Sequence, residues 1–147
     1  MLLPFFFRDL SAIGQFSVGL NAIILPPEKR VGTDAVLWLK RSLEYVAVFL
    51  EHFYEDYAAE KRNENLDEYF NAAYESTLQR YHNWFVRKLF YLCMKAIPSR
   101  SRLLDLLGKN ETITEQVIFD DIRNYRVTLQ DNIDLINRIF DENQLAK

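Results

Sequence analysis

From residue 31 onward the chain is periodic. In VGTDAVLWLKRSLEYVAVFLEHFYEDY (31–57) the apolar residues Ala35, Leu39, Leu43, Val46, Leu50, Phe53 and Tyr57 return at helical spacing. The pattern predicts an amphipathic helix over 33–57. Thr33 or Asp34 would cap its start, and Gly32 would let the chain turn in. A second column on this helix, Asp34, Trp38, Arg41, Ser42 and Tyr45, mixes rings, charges and hydroxyls. Trp38 beside charges reads either as ordinary packing or as a binding column.

The polar run AAEKRNEN (58–65) reads as a loop or a frayed helix end. Helical spacing resumes near Leu66 and lasts to Pro98, which is long for one straight helix. Tyr81–Asn83 is the expected break, because His and Asn are poor interior helix residues. Beyond the break, Leu78, His82, Phe85, Val86 and Leu89 are expected to share a face. Pro98 and Ser99 open a short helix that Gly108 would close. A last helix runs from Thr114 to about Asn143, with a stripe of Val117, Ile118, Asp121 or Ile122, Tyr125, Leu129, Ile133, Ile136 and Phe140. Residues 1–30 are less legible. Leu20–Leu25 fits a short helix or a buried extended piece, and Pro26-Pro27 stops it. No stretch alternates with period two, so the class is all-α.

Composition sharpens this. The 147 residues suffice for one domain with a core, and 49% of them are hydrophobic. Four Gly and four Pro argue for long elements with few turns. A net charge of −3 gives no footprint for nucleic acid. The lone Cys93 makes neither an internal disulfide nor, by itself, a zinc site. It reads as a small core residue, and the expected compartment is cytoplasmic. MLLPFFF is cut at seven residues by Arg8 and Asp9, so no signal peptide is read, and no apolar run is long enough to span a bilayer.

Enzyme templates fail. There is no Gly-rich phosphate loop, no nucleophile elbow, and only His52 and His82 to serve as a base. No enzyme activity, cofactor or metal is expected. His82 lies on an apolar side and needs a partner there. It is either a core histidine bonded to a backbone carbonyl or a donor at the mouth of an apolar pocket. Tyr81, Trp84, Lys88 and Tyr91 make an aromatic and basic surface that suits a membrane–water interface or, equally, helix packing.

Two segments, WLKRSLEYVAVFL (38–50) and AYESTLQRYHNWFVRKLF (73–90), together resemble the two signatures of the glycolipid transfer protein family. The short Pro-Ser helix and the long last helix follow in the family's order, so the resemblance covers about residues 29–143. It implies a two-layer all-helical sandwich enclosing an apolar pocket, formed by one domain over 1–147, with residues 1–28 divergent and N-terminal helices missing or altered. It also implies intermembrane transfer of a sphingolipid without chemistry. By this resemblance Trp38 stacks on the first sugar and His82 bonds the ceramide amide carbonyl. Trp84 and Tyr74 match membrane-touching positions. With Arg41, Tyr45, Tyr81 and Lys88 added from the residue columns, these are the candidate contacts.

Phosphate-binding relatives place Arg at the Trp38 position and one turn earlier. Here Asp34 stands one turn before Trp38, which favours a neutral sugar such as that of glucosyl- or galactosylceramide. The family's Asp-x-x-x-Asn motif has no counterpart ahead of Trp38. Asn21 echoes its Asn, and Asp9 is a substitute carboxylate. The expected partners are a glycosphingolipid and a transient membrane surface, met by a monomer peripheral to membranes. The alternative is a truncated member, monomeric or dimeric, that acts as a lipid sensor or protein scaffold.

Overall fold

The computed structural model describes residues 30–108 and 113–145. Five α-helices follow in order: α1 (Arg30–Ala58), α2 (Asp67–Ser76), α3 (Trp84–Met94), α4 (Arg100–Leu107) and α5 (Glu115–Glu142). A 3-10 turn, Gln79–Tyr81, joins α2 to α3. The described residues contain no strand, as the periodicity predicts.

α1 is the central element, packed against α5 on one side and α2 on the other. α1 and α5 run antiparallel. Val36 near the start of α1 meets Ile136, Ile139 and Phe140 near the end of α5. Phe49 and Phe53, further along α1, meet Ile118, Phe119 and Ile122 near the start of α5. α1 therefore buries a broad arc rather than a single stripe. Val36, Phe49 and Phe53 are buried, whereas the expected core positions Leu39 and Val46 are exposed and Ala35 faces out. Packing partners on two sides decide which residues go inside, and sequence spacing alone does not locate those partners. On α5 the stripe holds from Ile118 to Phe140, except that Val117 is exposed and Phe119 is fully buried.

Helix boundaries depart from expectation at two places. α1 is already running at Arg30, so Thr33 and Asp34 are internal to it and cap nothing. One interior glycine costs about 1 kcal/mol, too little to stop a helix anchored along 29 residues. The expected break before α3 does occur. His82 and Asn83 are extended, and the Asn83 side chain accepts the Val86 N–H at 3.0 Å, capping α3. Ser99 caps α4 in the same way, accepting from the Arg102 amide. Gly108 ends α4 at φ −77°, with no left-handed residue.

The break also overturns the expected face of α3. Leu78 is buried, but Phe85 and Leu89 are exposed, because an extended residue resets the helical phase. Cys93, expected in the core, is exposed as well. α3 packs mainly against α2 and touches α1 through Phe90 and Tyr45, and its other side meets none of the described helices closely.

At the far end of α1 a buried ionic network ties the layers together. Arg100 donates to Asp56 Oδ1 at 2.7 Å, with both side chains almost wholly enclosed. Tyr69 donates to Asp56 Oδ2 at 2.7 Å, and the Asn63 amide donates to the same oxygen at 3.2 Å. Arg100 also pairs with Glu115 of α5, and its guanidinium lies 5.2 Å from the rings of both Phe53 and Phe119. Burial without partners would be costly for each of these charges; here each has one.

Candidate functional site

The opposite half of α1 carries the rings. Trp38 and His82 are 44 positions apart in the chain, yet their rings stack with centroids 5.7 Å apart at 23°. Trp38 stays 42% exposed. Tyr81 meets its edge at 6.4 Å. The Arg41 guanidinium sits 3.5 Å from the Tyr81 ring centroid and 4.9 Å from that of Trp38, a cation held over two aromatic faces. Arg41 Nε is enclosed and has no hydrogen-bond partner among the described residues. Lys40, the neighbouring cation, turns the other way, where it is buried and paired with Glu44 at 3.2 Å.

His82 is held from three sides. Its Nδ1 lies 3.0 Å from the Tyr74 hydroxyl, its carbonyl accepts from Arg87 Nε at 2.9 Å, and Trp38 covers its ring. Burial, with the nearby Arg87 cation second, holds the imidazole below its ordinary pKa, so it is neutral at neutral pH. Burial likewise raises the Tyr74 hydroxyl, which keeps its proton.

Behind this pair, rings fill the space between α1, α2 and α3. Tyr74 stacks on Phe90 at 3.7 Å, Phe49 stacks on Phe70 at 3.9 Å, and Tyr45 meets the edge of Phe90 at 5.9 Å. Burial pushes the Tyr45 phenol up to about 12.

The predicted residues thus divide. Trp38, Arg41, Tyr81 and His82 come together, with Tyr45 behind them. Tyr74, expected at a membrane surface, is fully buried. Its place under His82 and against Phe90 leaves it nothing to offer a bilayer. Tyr81 is half-buried beneath Arg41 and belongs with the first group. Trp84 is 72% exposed, and Lys88 is exposed beside it. The same open side of α3 carries Phe85, Leu89 and Leu92, three exposed apolar residues that sequence reasoning had assigned to the interior or passed over. Asn21 and Asp9 lie outside the described residues. The parts missed were the pairing of Tyr74 with His82 and the Arg87 anchor. The only hint of them was that a histidine on an apolar face must find partners.

A groove of about 580 Å³ lies elsewhere, between α1 and α5, lined by residues such as Glu51, Thr77, Arg80, Arg123 and Arg126. It contains none of the predicted contacts. Its walls are strongly charged, and the Glu51–Arg126 ion pair bridges them at 2.9 Å. Among the described residues no helix is long and apolar enough to cross a membrane.

Known proteins resemble this chain in sequence and in fold. The family model described as glycolipid transfer protein matches residues 15–109, well over half of the chain and all of the ring cluster. A glycolipid transfer protein of Xenopus tropicalis is 34% identical over 113 residues, which span 76% of this chain and 54% of that protein. One of Danio rerio is 33% identical over 109 residues, 74% of this chain and 52% of that protein. Among solved structures, the apo-form of mouse ceramide-1-phosphate transfer protein superposes with a TM-score of 0.67 at 25% identity, covering 82% of this chain and 54% of that one. The apo-form of Arabidopsis ACD11 (accelerated-cell-death 11) does so with a TM-score of 0.65 at 24% identity, covering 76% and 53%. The chain spans about half the length of these relatives, and its helices follow their fold. It belongs to the glycolipid transfer protein family.

Proposed function

We propose that this chain binds a glycosphingolipid and carries it between membranes, with no covalent step. The observation that carries the reading is the stacking of Trp38 on His82. It sets a half-open indole, suited to the C–H face of a sugar, beside an imidazole suited to a ceramide amide. The acyl and sphingoid chains would enter by parting the rings of Tyr45, Phe49, Phe70 and Phe90, each buried methylene contributing about 0.8 kcal/mol.

A neutral sugar fits better than a phosphate. Lys40 is committed to Glu44, and Arg41 is committed to two aromatic faces. Asp34, exposed one turn before Trp38, would repel a phosphate. Trp84, Lys88 and the apolar ridge of α3 would dock on the membrane while the lipid moves, from the cytoplasmic side.

The test is transfer of a fluorescent galactosylceramide between vesicles, with ceramide-1-phosphate as the control lipid. Galactosylceramide transfer that disappears in both Trp38→Ala and His82→Leu supports the reading. Absence of transfer of either lipid by well-folded protein overturns it.

A second reading rests on the exposed ridge of Phe85, Leu89 and Leu92. That ridge would present a surface for a partner, and the chain would act as a sensor or scaffold. Sedimentation separates the two: a monomer that transfers lipid supports the first, and a dimer that does not supports the second.

A further inference from the structure

Two protons could occupy the contact between Tyr74 and His82. Either the phenol donates to Nδ1, or Nδ1–H donates to the phenol oxygen. The 3.0 Å separation allows both. Burial decides between them. Tyr74 is fully enclosed, and among the described residues its hydroxyl has no partner but His82. If Nδ1 carried the hydrogen, the buried phenol proton would face no acceptor, a situation costing about 1–3 kcal/mol. If the phenol donates, both groups are satisfied, and the imidazole hydrogen is driven to Nε2. That nitrogen makes no hydrogen bond within the described residues, and the His82 side chain is half-buried and not sealed.

We infer that Tyr74 is a positioning residue for His82: its buried hydroxyl fixes the Nε2–H tautomer, so that His82 presents a hydrogen-bond donor to the ligand. The assignment of that ligand rests on the glycosphingolipid reading above, in which the acceptor is an amide carbonyl. Each freedom of the histidine is then removed by a different neighbour. Arg87 holds its backbone carbonyl, Trp38 sets its ring plane, and Tyr74 sets its proton. A lone imidazole in water exchanges tautomers freely. Here the site is made a donor before any lipid arrives, which avoids a reorganisation cost on binding.

The chain holds only two histidines, so the test is simple to read. Lipid-free protein with nitrogen-15 in its histidines is examined by NMR at neutral pH, and His52→Gln identifies the His82 signals. The expected spectrum shows Nε2 protonated and Nδ1 as a bare ring acceptor. In Tyr74→Phe the two tautomers should mix. Galactosylceramide affinity should fall only in proportion to the Nε2–H fraction lost, about twofold for an even mixture. A wild-type spectrum with the hydrogen on Nδ1 overturns the inference without any variant. So does a Tyr74→Phe protein whose His82 stays wholly in the Nε2–H form. Because the spectrum needs no lipid, failure of the glycolipid reading shows up separately, as wild-type protein with the expected tautomer and no galactosylceramide binding.

Discussion

The two halves of α1 are built on opposite rules. Its C-terminal half ends in the Asp56–Arg100 network, where both charges are almost fully enclosed and both carboxylate oxygens have donors. Its N-terminal half holds Trp38 and Arg41, where a ring stays 42% exposed and a guanidinium nitrogen has no partner among the described residues. A closed network specifies the fold, because removing one member strands the others. An incompletely satisfied cluster is what a binding site looks like before its ligand completes it.

The largest expected effect breaks the closed half. Arg100→Ala strands Asp56 in the core and should cost about 3–5 kcal/mol. Thermal unfolding should move down by roughly 10 °C for a domain of this size. A midpoint shifted by less than about 2 °C would mean that water reaches Asp56 and that the network is not a closed one.

The next effect breaks the open half, and it should appear in function rather than stability. Trp38→Ala and His82→Leu should each lower galactosylceramide transfer by at least about tenfold, since each removes a contact to headgroup or amide. The unfolding free energy of Trp38→Ala should move by about 1 kcal/mol at most, because Trp38 is half-open; His82→Leu also strands the buried Tyr74 hydroxyl and should cost about 1–3 kcal/mol, still less than Arg100→Ala. If Trp38→Ala destabilised the protein as much as Arg100→Ala, the ring would be a core residue and the contrast between the halves would vanish.

A smaller effect concerns α3. Trp84→Ala combined with Leu92→Gln should slow transfer several-fold while leaving lipid affinity and stability within about 0.5 kcal/mol of wild type. The measurement pairs vesicle-to-vesicle rates with equilibrium binding in detergent-solubilised lipid. Equal losses in both would place these residues in lipid binding and not in docking.

Much of this was legible in the chain. Helical spacing located all five helices, and Asn83, Ser99 and Gly108 marked real boundaries. Trp38 and His82 were singled out as a mixed ring on a charged column and a histidine on an apolar face. What spacing could not show was which neighbour each face meets. Leu39 and Val46 fit the stripe of α1 as well as Phe49 does, yet α5 and α2 cover Phe49 and leave the other two exposed. Tyr74 illustrates the same limit. The family resemblance put it at a membrane surface, but the chain bends at His82 and brings an imidazole over it, with Tyr74 fully buried. The Asp56–Arg100 pair was invisible because its partners lie 44 residues apart and both are ordinary surface types.

The smallest effect separates the halves by pH. In the folded protein His82 is held below its ordinary value of 6.5, mainly by burial against Trp38, Tyr74 and Phe90 and then by the Arg87 cation. The unfolded chain therefore takes up this proton at a higher pH than the folded one. The stability tied to neutral His82 is present in full above about 6.5 and is lost as pH falls below that toward the folded value. At the other end, Glu64 is held below its ordinary 4.5, chiefly by the hydrogen bond from the Ser101 hydroxyl. Its contribution is present above that value and is lost only as pH falls further. Urea midpoints measured from pH 8 to pH 3 should thus decline in two steps. His82→Leu should erase the upper step and Ser101→Ala should weaken the lower one. Persistence of the upper step in His82→Leu would assign it to another group and detach the aromatic cluster from the protein's acid response.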